Sequence, residues 1–162
     1  MEMVRPATVE DLAAIARIEN EAIEHTYAHF GTTPVTAEET RRAFELAHER
    51  YPWYVAEIDG AIVGFARCGP WKTREAYRLT TEVGVYVDPG WQGKGIGKAL
   101  YEQMFPAMEK AGLHTVLAGI ALPNDASVRL HESFGMTHVG ALPQVGFKHG
   151  EWRDVGYWAK TL

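Results

Sequence analysis

The chemistry-bearing stretch of this chain is Val85-Tyr86-Val87-Asp88-Pro89-Gly90-Trp91-Gln92-Gly93-Lys94-Gly95-Ile96-Gly97-Lys98-Ala99-Leu100. A β-branched, apolar run stops at Asp-Pro-Gly. A glycine-rich turn follows, and a helix begins. The first turn of a helix carries N–H groups without a partner inside the helix, and a partial positive charge. Glycine lets a bulky anion approach those groups closely. The segment therefore predicts a cradle for phosphate or pyrophosphate. Spacing excludes two nucleotide motifs. A Walker loop ending at Gly97-Lys98 needs glycine at Gln92 and a hydroxyl at Ala99, and one ending at Gly93-Lys94 needs glycine at Asp88. The dinucleotide fingerprint places its last glycine on Lys98 or Leu100.

Glu82 is the second feature. It stands in an otherwise apolar strand, with Val83, Val85 and Val87 after it. Burial there raises a carboxyl pKa and makes a better base. Alternation alone leaves open which face of the strand is wet. Lys72, Arg74 and Arg78, with Tyr77 among them, form a basic cluster just before Glu82 in a chain of net charge −5. Such a cluster suits an anionic substrate. A metal centre is not expected. His25 and His29, four apart on an expected helix face, lack a third ligand, and His131-Glu132 lacks the second histidine of the zinc-protease pattern.

These residues must be positioned by a single fold of 162 residues, 46% hydrophobic and 23% charged. The acidic balance argues against a nonspecific nucleic-acid binder. No run approaches the length of a bilayer span, and no signal pattern opens the chain. The one cysteine, Cys68, permits no internal disulfide and reads as a core thiol, which fits a cytoplasmic setting. Strands are expected at 3–6, 53–58, 61–68, 79–87, 115–121, 137–142 and 155–160. Asp59-Gly60 is a hairpin turn, Gly69-Pro70 ends a strand, and His149-Gly150 is a turn. Helices are expected from a Thr8 cap through residues 12–23, from a Thr36 cap to about Arg50, over 95–111, and from Pro123-Asn124-Asp125 to Phe134-Gly135. The order β-α-α-β-β-β-α-β-α-β-β describes an α/β (α+β) mixed central sheet flanked by helices, in one domain over 1–162.

Gln92-x-x-Gly95-x-Gly97 resembles the acetyl-CoA pyrophosphate loop of the GNAT acetyltransferases, and the element order matches theirs. Four segments are similar to the phosphinothricin and methionine sulfoximine N-acetyltransferases within that superfamily: Gly69-Pro70-Trp71-Lys72, Thr81-Glu82, Leu122-Pro123-Asn124-Asp125 through Glu132, and Gly146 to Gly150 with Asp154-Val155-Gly156. The resemblance implies acetyl transfer from acetyl-CoA to the α-amine of a small anionic amino acid analogue. The amine attacks directly, with Glu82 as general base. It implies acetyl-CoA contacts at Val85, Tyr86, Val87, Gln92, Gly93, Lys94, Gly95, Ile96, Gly97, Lys98, Asn124 and Ser133, and no metal. Substrate contacts are implied at Phe30, Lys72, Arg74, Glu75, Tyr77, Arg78 and His131. His131 stands where many superfamily members have a tyrosine acid, so it binds the substrate's acidic group, relays a proton, or both. Tyr86 is an alternative acid. A cytoplasmic homodimer is also implied, with Phe147, Trp152, Tyr157 and Trp158 on late strands that help form its interface. A related enzyme for another small amine or a protein N-terminus, and a non-catalytic acetyl-CoA sensor, are the competing functions.

Overall fold

The computed structural model describes residues 2–47 and 50–162. Seven strands form one sheet: β1 (Glu2–Pro6), β2 (Trp53–Ile58), β3 (Ala61–Pro70), β4 (Thr80–Val87), β5 (Thr115–Ala121), β6 (Thr137–Lys148) and β7 (Glu151–Thr161). Their order across the sheet is β1-β2-β3-β4-β5-β7-β6. Only β4 and β5 are parallel neighbours, and the helix that a parallel crossover requires is α3 (Ile96–Lys110). The other helices are α1 (Leu12–His25), α2 (Ala37–Ala47) and α4 (Asp125–Ser133).

Two apolar layers sandwich the sheet. On one face Leu100, Met104 and Met108 of α3 pack on Ala66, Val83, Val116 and Trp158. On the other, Leu12, Ile15 and Ile18 of α1 pack with Ala47 of α2 on Trp53, Val55 and Phe65. Each such side chain, fully buried, contributes roughly 1.5–3 kcal/mol. Strand alternation decides which layer a residue joins. Val83, Val85 and Val87 face α3, so Glu82 and Tyr86 face α1.

Local signals act as the sequence predicts at several ends. The Thr8 N–H donates to Asp11 Oδ2 at 2.8 Å ahead of α1, and the Glu39 N–H donates to Thr36 Oγ1 at 3.1 Å at the start of α2. Asp59 and Gly60 both take positive φ in the β2–β3 turn. The last part of the expected second helix falls on residues 48 and 49, which lie outside the described residues.

Three expectations are corrected. β3 continues through Gly69 and Pro70, which pair with Glu82 and Thr81; as the strand's last residue, Pro70 needs no ladder N–H. β6 and β7 are longer than 137–142 and 155–160. Irregularities at 138–140 and 142–146 break the two-residue alternation that would have revealed β6. In the second of them Gln144 takes φ +49°, and its N–H donates to Asp154 Oδ1 at 2.8 Å. Finally, α1 stops at His25, so His25 and His29 share no helix face.

Candidate active site

β4 and β5 pair only at Thr80–Thr115, Thr81–Val116 and Glu82–Leu117. Beyond that point they part, although β4 runs on to Val87 and β5 to Ala121. The other edge of each strand is already occupied, β4 by β3 and β5 by β7. The facing edges after Glu82 thus hold backbone donors and acceptors outside the ladder, and such groups need a partner. A cavity of about 1570 Å³ occupies the cleft. Its walls are these two strands and the glycine loop at one end, and α1, α2 and the segment between them at the other.

The glycine loop closes the first end. Gly93 and Gly95 have φ of +74° and +81°, the left-handed region in which a side chain is strained. Gly95 is the N-cap of α3, and no side chain caps that helix. A Cβ at either glycine would meet nothing within 4 Å, so the loop backbone faces open space. Gln92, Gly93, Gly95, Ile96, Gly97, Val85, Tyr86, Val87 and Asn124 all border the cavity. Gln92 Nε2 folds back to donate to the Val87 carbonyl at 3.3 Å. The side chains of Lys94 and Lys98 are not part of the lining. Lys94 lies over the Trp91 ring at 5.0 Å, and Lys98 faces Glu102 at 4.0 Å. Ser133, at the far end of α4, donates to the Leu130 carbonyl at 2.6 Å and is not among the cavity's lining residues. The donors, the open strand edges and the unfilled glycine turns fit the pyrophosphate and the amide-bearing arm of acetyl-CoA.

Glu82 is half-buried at the mouth of the cleft. Burial raises its pKa, and the nearby Lys72 ammonium opposes the rise. Tyr86, on the same face, packs against His29 and Phe65, and burial pushes its pKa up to about 12. His131 borders the cavity from α4, yet both ring nitrogens are engaged. Nδ1 lies 2.7 Å from the Ser127 carbonyl, which can only accept, so Nδ1 carries the hydrogen. Nε2 then accepts from the Tyr101 hydroxyl at 2.8 Å. Burial lowers the His131 pKa and favours this neutral ring. Through these two bonds the ring joins α4 to Tyr101 of α3.

The expected substrate residues divide. Phe30 borders the cavity from the α1–α2 segment and lies on Gly146 of β6. Lys72, Arg74, Glu75, Tyr77 and Arg78 do not line it; they belong to the β3–β4 loop at the rim. Arg78, on the same loop, pairs with Glu75 at 3.8 Å in solvent. Lys72 is the member of that loop whose charge reaches Glu82.

Sequence reasoning missed a charged cluster in the cavity wall. Glu19 of α1 bonds to Arg67 of β3 and accepts from His29 Nε2 at 2.9 Å. These partners outweigh burial and hold the Glu19 pKa at about 2. The signals were present. Glu19 continues the apolar stripe of Ile15 and Ile18, and Arg67 interrupts an apolar strand. Of the expected interface residues, Trp158 is corrected, being buried with its Nε1 donating to Glu132 at 3.0 Å, while Tyr157 borders the cavity.

The family model described as Acetyltransferase (GNAT) family matches residues 14–136. The chain belongs to the GNAT family. It is 46% identical to the phosphinothricin N-acetyltransferase of Streptomyces viridochromogenes, over 98% of this chain and 87% of that protein. It is 38% identical to the L-methionine sulfoximine/L-methionine sulfone acetyltransferase of Salmonella typhimurium, over 95% and 91% of the two chains. A Salmonella typhimurium acetyltransferase solved with its cofactor acetyl-CoA superposes with a TM-score of 0.96 at 36% identity, covering 99% of this chain and 93% of that one. The GNAT domain seen here is thus that of an acetyl-CoA-dependent N-acetyltransferase. Among the described residues, no helix is long and apolar enough to cross a membrane.

Proposed function

We propose that this GNAT enzyme acetylates the α-amine of a small anionic amino acid analogue of the phosphinothricin or methionine sulfoximine kind, with Glu82 as the general base. The observation that carries the reading is the position of Glu82: a carboxyl of raised pKa at the point where β4 and β5 part, beside the Lys72 ammonium. The relatives named above support the substrate class.

Acetyl-CoA supplies an activated acetyl group as a thioester. The unpaired edges of β4 and β5 hold its arm, and the α3 N-terminus with Gly93, Gly95 and Gly97 holds its pyrophosphate. An α-ammonium at neutral pH has no free lone pair. Glu82, directly or through a water, removes one proton, and the freed amine attacks the thioester carbon; the C–S bond breaks, and coenzyme A leaves as the thiol, taking up the proton that the acylated nitrogen loses. The raised pKa of Glu82 favours the first proton transfer. Lys72 attracts the substrate's anionic group, and Phe30 walls its side chain. His131 with Tyr101 keeps α4 in place against α3. A second copy of the chain docks on β6, the edge strand, where the Phe147 and Trp152 rings, tilted at 52°, lie 5.0 Å apart in solvent.

An acetyl-transfer screen over phosphinothricin, methionine sulfoximine, methionine sulfone, ordinary L-amino acids and a polyamine tests the reading. The expected result is preference for the anionic analogues. Glu82→Gln should lower kcat about 100- to 10,000-fold, with partial rescue at high pH, where free amine is available. Preference for a polyamine would overturn the substrate class. Wild-type kcat in Glu82→Gln, with only a raised KM for the amine, would make Glu82 an ammonium anchor. Acetyl-CoA binding without transfer to any amine would make the protein a sensor.

A further inference from the structure

Glu82 has room for its carboxylate because a neighbour has no side chain. A Cβ on Gly119 of β5 would stand 3.1 Å from Glu82 Oε2 and 3.2 Å from Tyr157 Cε1. Contacts that tight force something to move, so a side chain at 119 must displace the carboxylate, the phenol ring, or both. Sheet order explains the meeting. Gly119 is the register partner of Tyr157 across β5 and β7, and Glu82 is the last paired residue of β4 before the cleft opens. Burial and the Glu82 charge push the Tyr157 pKa up, and the neighbouring Trp71 opposes that rise. Trp71 meets Tyr77 edge-on at 5.3 Å, and the Lys72 ammonium lies 5.2 Å from its ring centre. Carboxylate, phenol and indole therefore form a line from β4 out to the β3–β4 loop.

We propose that Tyr157, seated by Gly119 beside Trp71 of the β3–β4 loop, is a positioning residue that aims Glu82. The proposal rests on the reading of Glu82 as the base. The ring shields the carboxylate on the β7 side, where water would otherwise lower its basicity. The indole stands between that ring and Lys72 on the loop, so the cation and the base belong to one assembly. The charged and titratable groups around Glu82 are Lys72 on the loop, Tyr157 on β7 and Tyr86 on its own strand. Across Tyr86 lie Glu19 of α1 and Arg67 of β3.

Tyr157→Ala, Tyr157→Phe and Gly119→Ala test this, each checked for folding by circular dichroism, with Glu82→Gln in parallel. Two readouts separate positioning from simple structural damage. One is the titration midpoint of the Glu82 carboxyl carbon, followed by NMR without acetyl-CoA. The other is the acid limb of kcat/KM for the amine; the substrate's own pKa is common to all variants and drops out. In Tyr157→Ala the midpoint should fall toward the ordinary carboxyl range, the acid limb should move with it to lower pH, and kcat should fall about 10- to 100-fold. Gly119→Ala should lower kcat while leaving acetyl-CoA affinity in place. Tyr157→Phe keeps the ring beside the carboxylate, so the midpoint and the acid limb should stay at their wild-type positions. An unmoved midpoint and acid limb in folded Tyr157→Ala, with wild-type kcat in Gly119→Ala, would overturn the proposal. Glu82→Gln reports separately: full activity there removes the base reading itself, whatever Tyr157 does.

Discussion

At Gly95 the backbone stands at φ +81° with nothing near the missing Cβ, so the constraint on this residue is conformational and faces the ligand side. Gly95→Val should fold, with a local strain of about 1–2 kcal/mol. Acetyl-CoA affinity, measured by calorimetry, should drop at least about tenfold, since the branched side chain occupies space meant for the pyrophosphate. Unchanged affinity would remove the loop from the acetyl-CoA site. Glu82 is a residue whose function opposes stability. Its pKa is raised in the folded protein, so the folded state binds the proton more tightly than the unfolded chain. Stability from this group is full below the ordinary carboxyl pKa and declines as pH rises through the raised value. Glu82→Gln removes that loss. It should therefore melt higher than the wild type near neutral pH, and the two should converge in acid, as thermal melts across the pH range can show. Activity runs the other way and should fall in acid as Glu82 is protonated.

At the scale of elements, the segment between α1 and α2 is held from several directions. Asn20 of α1 bonds both backbone groups of Val35, at 2.7 and 3.1 Å. Lys148 of β6, itself buried, donates to the carbonyls of Ile23 and His29 at 2.6 Å each. Glu19 anchors the His29 ring, whose Nδ1 accepts the Gly31 N–H at 2.8 Å. Phe30 sits between these anchors, so the wall of the cavity inherits their precision. Glu19→Gln should destabilise the protein by on the order of 3 kcal/mol near neutral pH. This is the low end for breaking a buried pair, because Arg67 keeps 25% of its side chain in solvent. The Glu19 pKa is depressed to about 2, so its contribution is present above the ordinary glutamate range and is lost as pH falls toward that value. Urea unfolding of both proteins should show the gap narrowing through that window. A constant gap would mean that Glu19 acts by packing alone. If Phe30 depends on this anchor, KM for the amine should also rise in Glu19→Gln.

The whole molecule presents an open sheet edge at β6, carrying Val139, Val145 and Phe147 outward, with Trp152 beside them on β7. An exposed apolar edge strand is a template for pairing or packing with another chain. Light scattering at micromolar concentration should give the mass of two chains, and Trp152→Asp should shift the equilibrium to one. A wild-type monomer would exclude the dimer. Lys148 alternates with Phe147 along β6, so the strand that would carry the partner also secures the α1–α2 segment. A monomeric Trp152→Asp enzyme should then show a raised KM for the amine.

How much was legible in the sequence follows from the range of the forces involved. The glycine loop, the Thr8 and Thr36 caps and the Asp59-Gly60 turn are written in neighbouring residues, because backbone conformation is decided by local sterics and hydrogen bonds. The parallel crossover at α3 and the apolar character of β4 and β5 follow from periodicity. The family resemblance carried the fold and the acetyl-transfer chemistry. The length of β6 escaped, because its irregularities erase the alternation on which strand reading depends. Tertiary structure alone decided the rest. Which face of β4 takes Glu82 depends on α1 and α3 choosing opposite sides of the sheet. The engagement of both His131 nitrogens depends on Tyr101, 30 residues earlier in the chain. Glu19 meets Arg67 across 48 positions, and Gly119 places an empty site between Glu82 and Tyr157 only once three strands are side by side. Such contacts are made by chain segments far apart in sequence, and no local pattern records them.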